Sequence, residues 1–190
     1  KDDIFYYVYG LLHSENYRKA FSVDLKKMLP RIPLVESPAD FKAFSKAGRE
    51  LADLHLNYER QPELDSVATI GEDLIPNDYT VKKMVFGKKQ NEETGKMEDD
   101  KSTILYNDHI SVVNIPEVAY DYIVNGKSAI EWIMERYQVK TDKSSGILND
   151  PNAWALEHEN PRYILTLLLS IITVSVKTRQ IISKLPKLTF

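Results

Sequence analysis

The 190-residue sequence has no cysteine, which excludes disulfides, thiolate zinc sites and cysteine nucleophiles and fits a reducing, cytoplasmic setting. Its four histidines, His13, His55, His109 and His158, never fall four apart around a glutamate, so no helical zinc pair exists and no metal site is expected. A glycine-rich phosphate loop is also missing. Gly126-Lys127-Ser128 echoes the end of one, but Asp121 stands five residues before Gly126, where a glycine must let the backbone curl and where a carboxylate repels phosphate. No basic leader followed by an apolar core and cleavage site is present. The one long apolar stretch, near the end, is interrupted too often against the roughly 20 residues a bilayer demands, so no membrane is expected as a partner. Basic excess is lacking too: the formal net charge is -3, whereas a small autonomous DNA-binding module is usually plainly basic. Any contact with nucleic acid is then expected to run through a local surface or with help from the rest of the parent polypeptide. The acidic pairs Glu92-Glu93 and Asp99-Asp100 lie in a hydrophilic tip without the burial that tunes carboxylates for acid–base work. Catalytic residues are therefore not expected.

What is present is an ordinary globular composition, 43% hydrophobic and 28% charged, with enough chain for a core. The opening Lys1-Asp2-Asp3 runs at once into Ile4-Phe5-Tyr6-Tyr7-Val8-Tyr9, which reads as a fragment of a larger polypeptide. We expect one domain over 1–190, with a helical portion over 1–60, a sheet portion over 75–126 and a helical portion over 127–190. The fold class is α+β, long helices packed with a small antiparallel sheet.

Ile4 to Leu12 reads as a core helix with acids at its start. Ser14 caps a second helix through Tyr17, Phe21, Leu25 and Met28, ended by Pro30. Ser37-Pro38-Ala39-Asp40 starts a long helix to about Glu59, with Phe41, Phe44, Gly48, Leu51, Leu54 or His55, and Tyr58 on one stripe. Strands are expected over 79–86, 103–106, 109–113 and 118–124. The segment 87–101, with lysines set against acids, reads as a mobile, self-neutralising tip. Ser128 caps a helix bearing Ile130, Ile133, Met134 and Tyr137, and Asp150-Pro151 opens a short one. Asn160-Pro161 begins the last, whose Thr166, Ser170, Thr173, Lys177 and Gln180 mark a polar row on an otherwise apolar cylinder.

The stretch Arg136 to Asn152, RYQVKTDKSSGILNDPN, is dense in side chains that pair with base edges and phosphate oxygens. Gln138, Lys140, Thr141, Lys143, Ser144, Ser145, Asn149 and Asn152 are the candidates there. Lys82, Lys83, Arg136, Lys140 and Lys143 form a stripe for a phosphate backbone if the fold unites strand and loop. Turn chemistry, helix capping and sheet-edge lysines account for the same residues without any ligand.

The segments FYYVYGLLHSENYRKAF, LKKMLPRIPL, AGRELADLHLNYE, YDYIVNGKSAIEWIMERYQVKTDKSSGILNDPN and PRYILTLLLSIITVSVKT resemble the C-terminal specificity domain of type ISP restriction-modification enzymes. The likeness spans almost the whole chain, the 87–101 tip least. It implies a target recognition domain that reads double-stranded DNA and clamps it against an upstream adenine-N6 methyltransferase in the same polypeptide, which flips the adenine out. It implies no cofactor in this domain, and S-adenosylmethionine, ATP and Mg for a parent that also carries a motor and a nuclease. The Asn-Pro-Pro-Tyr type of motif of such methyltransferases is absent here, in keeping with an upstream position for that domain. A docking or scaffolding domain without base readout is the alternative expectation.

Overall fold

A computed structural model of the chain describes residues 1–73 and 78–188. They gather into two compact units, one formed by Lys1–Tyr58 with the chain from Lys177 onward, the other by Glu59–Val176.

The first unit is helical. Helix α1 (Asp2–Leu12) has Asp2 and Asp3 in its first turn, where they oppose the positive end of the helix dipole. Helix α3 (Pro38–Leu56) opens with proline in its first turn, and the Ser37 hydroxyl accepts from the Asp40 amide at 3.3 Å. The two helices touch backbone to backbone. A Cβ at Gly48 would stand 1.8 Å from the Tyr6 carbonyl oxygen, and one at Gly10 would stand 2.3 Å from that of Phe44. No side chain fits in either place. Tyr7, Leu11 and Phe44 are buried around the crossing, and Phe41 stacks on Tyr7 at 4.8 Å. The Tyr7 hydroxyl donates to the Pro33 carbonyl at 2.6 Å and accepts from the Val35 amide at 3.2 Å, which fixes the extended connector.

Helix α2 (Glu15–Ala20) is capped by Ser14 as expected but does not reach Met28. It ends at Phe21, and a single 3-10 turn, Asp24–Lys26, follows. Ser22 and Val23 are weak helix formers, and the Tyr17 hydroxyl holds the Arg31 carbonyl at 2.8 Å, so the chain must turn back. Tyr58 likewise lies beyond the end of α3, in the 3-10 turn Tyr58–Arg60. His55 is bonded on both ring nitrogens, to the Tyr9 hydroxyl at 2.8 Å and the Thr178 hydroxyl at 3.0 Å. Burial first, and the neighbouring His13 second, push its pKa down to about 4, so the ring is neutral and structural at neutral pH.

The second unit holds a four-stranded antiparallel sheet built from β1 (Ala68–Ile70), β2 (Val85–Gln90), β3 (Met97–Leu105) and β4 (Ser111–Val113), in the order β1-β4-β3-β2. Strand β1 is an addition to the sequence expectation. Val81, Ile104, Tyr106, Val112, Ile130 and Met134 form the core with Leu165, Leu168 and Ile172 of helix α6 (Tyr163–Ile182). Each of these three aliphatic side chains is fully covered, worth about 1.5–3 kcal/mol of burial apiece.

Three further expectations are corrected here. Residues 79–84 are not strand, because their backbone is bonded to a side chain and to a distant loop, described below. Val118 to Asp121 lies in a 3-10 turn, Glu117–Asp121, and only β5 (Ile123–Val124) pairs, with β6 (Lys127–Ser128). Ala119 and Tyr120 are adjacent and both buried, which a strand's alternation forbids. Much of the 87–101 tip is a paired ladder rather than a loop, with Lys88 opposite Asp99 and Lys89 opposite Glu98.

Helix α6 starts at Tyr163, after a turn closed by the Tyr163 amide on the Asn160 carbonyl. Its polar row is not a solvent face throughout. Ser170 and Thr173 are buried; the Gln61 amide donates to the Ser170 hydroxyl at 2.9 Å, and the Thr173 hydroxyl donates to the Pro62 carbonyl at 2.8 Å. By length and composition alone α6 does satisfy the requirements of a membrane span, contrary to the expectation, but 72% of its apolar window is buried inside the protein. Core packing explains its apolarity.

Candidate nucleic-acid interface

Whether the lysines of 79–84 meet the polar loop depends on two residues from elsewhere in the chain. The Asn152 carboxamide accepts from the Val81 amide at 2.9 Å and donates to the Val81 carbonyl at 2.8 Å, as a strand partner would. The Val139 amide donates to the Lys82 carbonyl at 2.9 Å. Lys82 and Lys83 are thereby fastened beside the loop, and both side chains are exposed. Asn152, expected to face a ligand, is instead 7% exposed and fully engaged, with its amide also donating to Asp150 at 2.7 Å. It builds the surface rather than belonging to it.

The loop is itself a hairpin, β7 (Lys140–Thr141) against β8 (Leu148–Asn149). Lys140 lies opposite Asn149 and Thr141 opposite Leu148, so Lys140 and Asn149 share one face. Asp142 organises the turn. One of its oxygens accepts from the hydroxyls of Ser144 and Ser145 at 2.6 and 2.9 Å and from their amides at 3.0 and 2.8 Å. These donors, the Ser144 hydroxyl foremost, hold the Asp142 carboxyl far below its ordinary value. Gly146 supplies the positive φ of 71° that closes the turn. Ser144 and Ser145 consequently have their hydroxyl protons committed, and only acceptor lone pairs remain for a ligand. The side chains of Lys140, Thr141, Lys143 and Asn149 make no hydrogen bond or ion pair among the described residues.

Helix α4 (Ala129–Arg136) enters this surface through a capping box between Ser128 and Glu131. Gln138, just past its end, donates to the Glu135 carbonyl at 2.9 Å and lines a cleft of about 330 Å³ with Lys83, Lys127 and Glu135. Lys127 and Arg136 flank the Trp132 ring at 5.3 and 5.2 Å, and the indole N–H donates to the Val124 carbonyl at 2.6 Å. Glu135 pairs with Lys127, which is the main reason its carboxyl titrates below the ordinary value, with Arg136 and Lys140 adding to the effect. Lys127 and Trp132 are parts of this surface that the sequence reading missed, Lys127 paired with Glu135 and the Trp132 N–H with Val124. The four-residue spacing of Trp132 and Arg136 on one helix face was the available signal.

Lys82 and Lys83 also line a larger cleft of about 610 Å³, with Thr80, Asn107, Asp108, His109 and Ser111 among its walls. Of the predicted residues, then, Lys82, Lys83, Arg136, Gln138, Lys140, Thr141, Lys143, Ser144 and Asn149 lie on neighbouring stretches of surface, and Asn152 lies beneath them. No group of three or more histidine, aspartate and glutamate side chains arranged to hold a metal occurs among the described residues.

No curated protein matches this chain. The structure is similar to that of a nuclease-deletion mutant of the Type ISP restriction-modification enzyme LlaGI in complex with a DNA substrate mimic, with 51% identity and a TM-score of 0.82 over 98% of this chain and 16% of that one. It is similar to the ATP-dependent Type ISP enzyme LlaBIII bound to DNA, at 47% identity and a TM-score of 0.81, over 98% of this chain and 11% of that one. DrdV in a DNA complex is 27% identical with a TM-score of 0.75, over 100% of this chain and 18% of that one. The chain thus spans less than a fifth of each of these structures. The model of the Type ISP C-terminal specificity domain matches residues 1–167, and the chain belongs to that family.

Proposed function

We propose that this chain recognises a DNA target on behalf of a larger restriction-modification polypeptide, and that the surface formed by the 80–83 segment, the α4 end and the β7–β8 hairpin faces the duplex. The observation that carries the reading is the pair of hydrogen bonds between Asn152 and Val81, together with the one from the Val139 amide to the Lys82 carbonyl, which gathers cations from separate segments into one surface. Lys140 and Lys143, with at least one of Lys82 and Lys83, then act on phosphates. Asn149, Thr141 and Gln138 present amide and hydroxyl groups of the kind that distinguish bases. The LlaGI, LlaBIII and DrdV structures were each determined with DNA or a DNA mimic, which supports the same partner here. In this reading the bond-making steps belong to an upstream adenine-N6 methyltransferase with S-adenosylmethionine, and to a motor using ATP and Mg, in a cytoplasmic enzyme.

The test is an exchange of residues 1–190 between two related full-length enzymes with different targets. The methylated sequence is expected to move with the exchanged segment, and an unchanged target overturns the proposal. A docking role without base readout is favoured by one feature of the helical unit, the exposed Val23, Met28 and Leu29 beside a groove lined by Tyr17, Phe21 and Leu25. It requires the unchanged target, so the same exchange decides between them.

A further inference from the structure

The cleft beside Lys82 and Lys83 contains Asp108 and His109, which no part of the interface above employs. We propose that this cleft reads the edge of a G·C base pair in the target, with Asp108 accepting from the cytosine amino group and His109 as its neighbour in the contact. The inference deepens the DNA-recognition reading and rests on it.

The two walls of the cleft are fastened by one side chain. Asn107 Oδ1 accepts from the His109 amide at 2.9 Å and the Ile110 amide at 2.7 Å, while its Nδ2 donates to the carbonyls of Asp78 at 3.2 Å and Thr80 at 3.1 Å. The loop that bears Asp108 and His109 is therefore tied directly to the segment that bears the lysines. From below, Tyr106 and Ile110 anchor it in the core, and the Tyr106 hydroxyl donates to the Tyr79 carbonyl at 2.8 Å. Rigid presentation of this sort is what a sequence-reading contact requires.

Against that fixed background, Asp108 and His109 are exposed, and their side chains make no hydrogen bond or ion pair among the described residues. Among the described residues their side-chain polar atoms are committed to nothing. The chemistry of the cleft also selects among ligands. A site for phosphate alone would be weakened by the Asp108 carboxylate, whereas a base pair offers donors as well as acceptors. In the major groove a carboxylate accepts from cytosine N4 and a lysine donates to guanine O6 or N7, so Asp108 with Lys82 or Lys83 matches both halves of one pair. Among the described residues of the cleft wall the only ring is the His109 imidazole, which fits a paired base edge better than an extruded base stacked between rings.

The experiment selects duplexes from a pool randomised through the target, using the full-length enzyme and its Asp108→Asn and Asp108→Ala variants. Discrimination for cytosine is expected to fall roughly 10- to 100-fold at one position, with preference at the others retained. Asp108→Asn keeps the side-chain volume at an exposed position, and the variants' melting temperatures confirm folding. An unchanged selection profile, or a loss of affinity spread equally over all sequences, overturns the proposal. If the exchange of residues 1–190 moves the target while Asp108→Ala leaves the preference for cytosine intact, only the assignment of this cleft fails. If the exchange does not move the target, DNA reading itself fails.

Discussion

The hairpins β2–β3 and β7–β8 are both exposed and both carry lysine, yet they dispose of that charge in opposite ways. In β2–β3 the strand lysines meet acids: Lys88 reaches Asp99 at 2.5 Å and Lys89 reaches Glu98 at 3.8 Å across the ladder, while Lys101 reaches Glu131 of α4 at 3.4 Å; Lys96, in the turn, has no ion-paired acid among the described residues. In β7–β8 the only acid, Asp142, is turned inward on the serines of its own turn. Lys140 and Lys143 are left exposed without an ion-paired acid among the described residues. Local net charge therefore misleads as a guide to function in this chain. What matters is whether a cation has a partner inside the fold.

The sharpest way to break the comparison is to remove cations from both kinds of surface. Replacing Lys82, Lys83, Lys140 and Lys143 together by alanine in the full-length enzyme is expected to weaken DNA binding at least 100-fold at moderate salt. The plot of log affinity against log salt should become shallower by about one per lost phosphate contact. Lys88 and Lys89 replaced in the same way should leave that slope untouched; an equal change in both variants erases the distinction.

A smaller effect separates the surface from its foundation. Asn152→Ala strands the Val81 amide and carbonyl, and urea denaturation should show a loss of about 1–3 kcal/mol. An Asn152→Ala variant of unchanged stability and altered target would reverse the assignment of this residue. Deleting the Lys88 and Asp99 pair is weaker still, within about 1 kcal/mol, as expected for an exposed ion pair.

The gentlest test is pH. The Asp142 carboxyl is held below its unfolded value, so the turn it organises is fully supported above that value and loses support only as pH falls through the lower, folded one. Amide exchange at Ser144 and Ser145 should accordingly stay slow on descent through the ordinary carboxylate range. Faster exchange there, matching that of an Asp142→Ala variant, would show that the turn does not depend on the ionised group.

Helix starts were the most legible part of the sequence, because a capping side chain acts within three residues. Ser14, Ser37, Ser128 and Asp150 each cap the helix expected of them. Elements whose partners are remote were less legible. Val81 and Lys82 have the β-branched and alternating look of a strand, but their partners are Asn152 and Val139, and nothing local announces that. The same remoteness decided the site. Asn152 was expected to contact a ligand because of its amide, and only the fold reveals that the amide is already occupied. Lys127 and Trp132 went unnoticed because their shared surface with Arg136 depends on the β5–β6 turn. The charge balance of the 87–101 segment is legible in the sequence, but its cross-strand pairing is not, since the partners lie on two separate stretches of chain.

The approach of α1 to α3 leaves room for a hydrogen atom and nothing more at residues 10 and 48. Among functional variants of this domain, those two distant sites should tolerate no methyl group, and they should behave as a single locked joint. A substitution at one cannot be rescued by shrinking its neighbour, because the obstacle is a peptide carbonyl and has no smaller form.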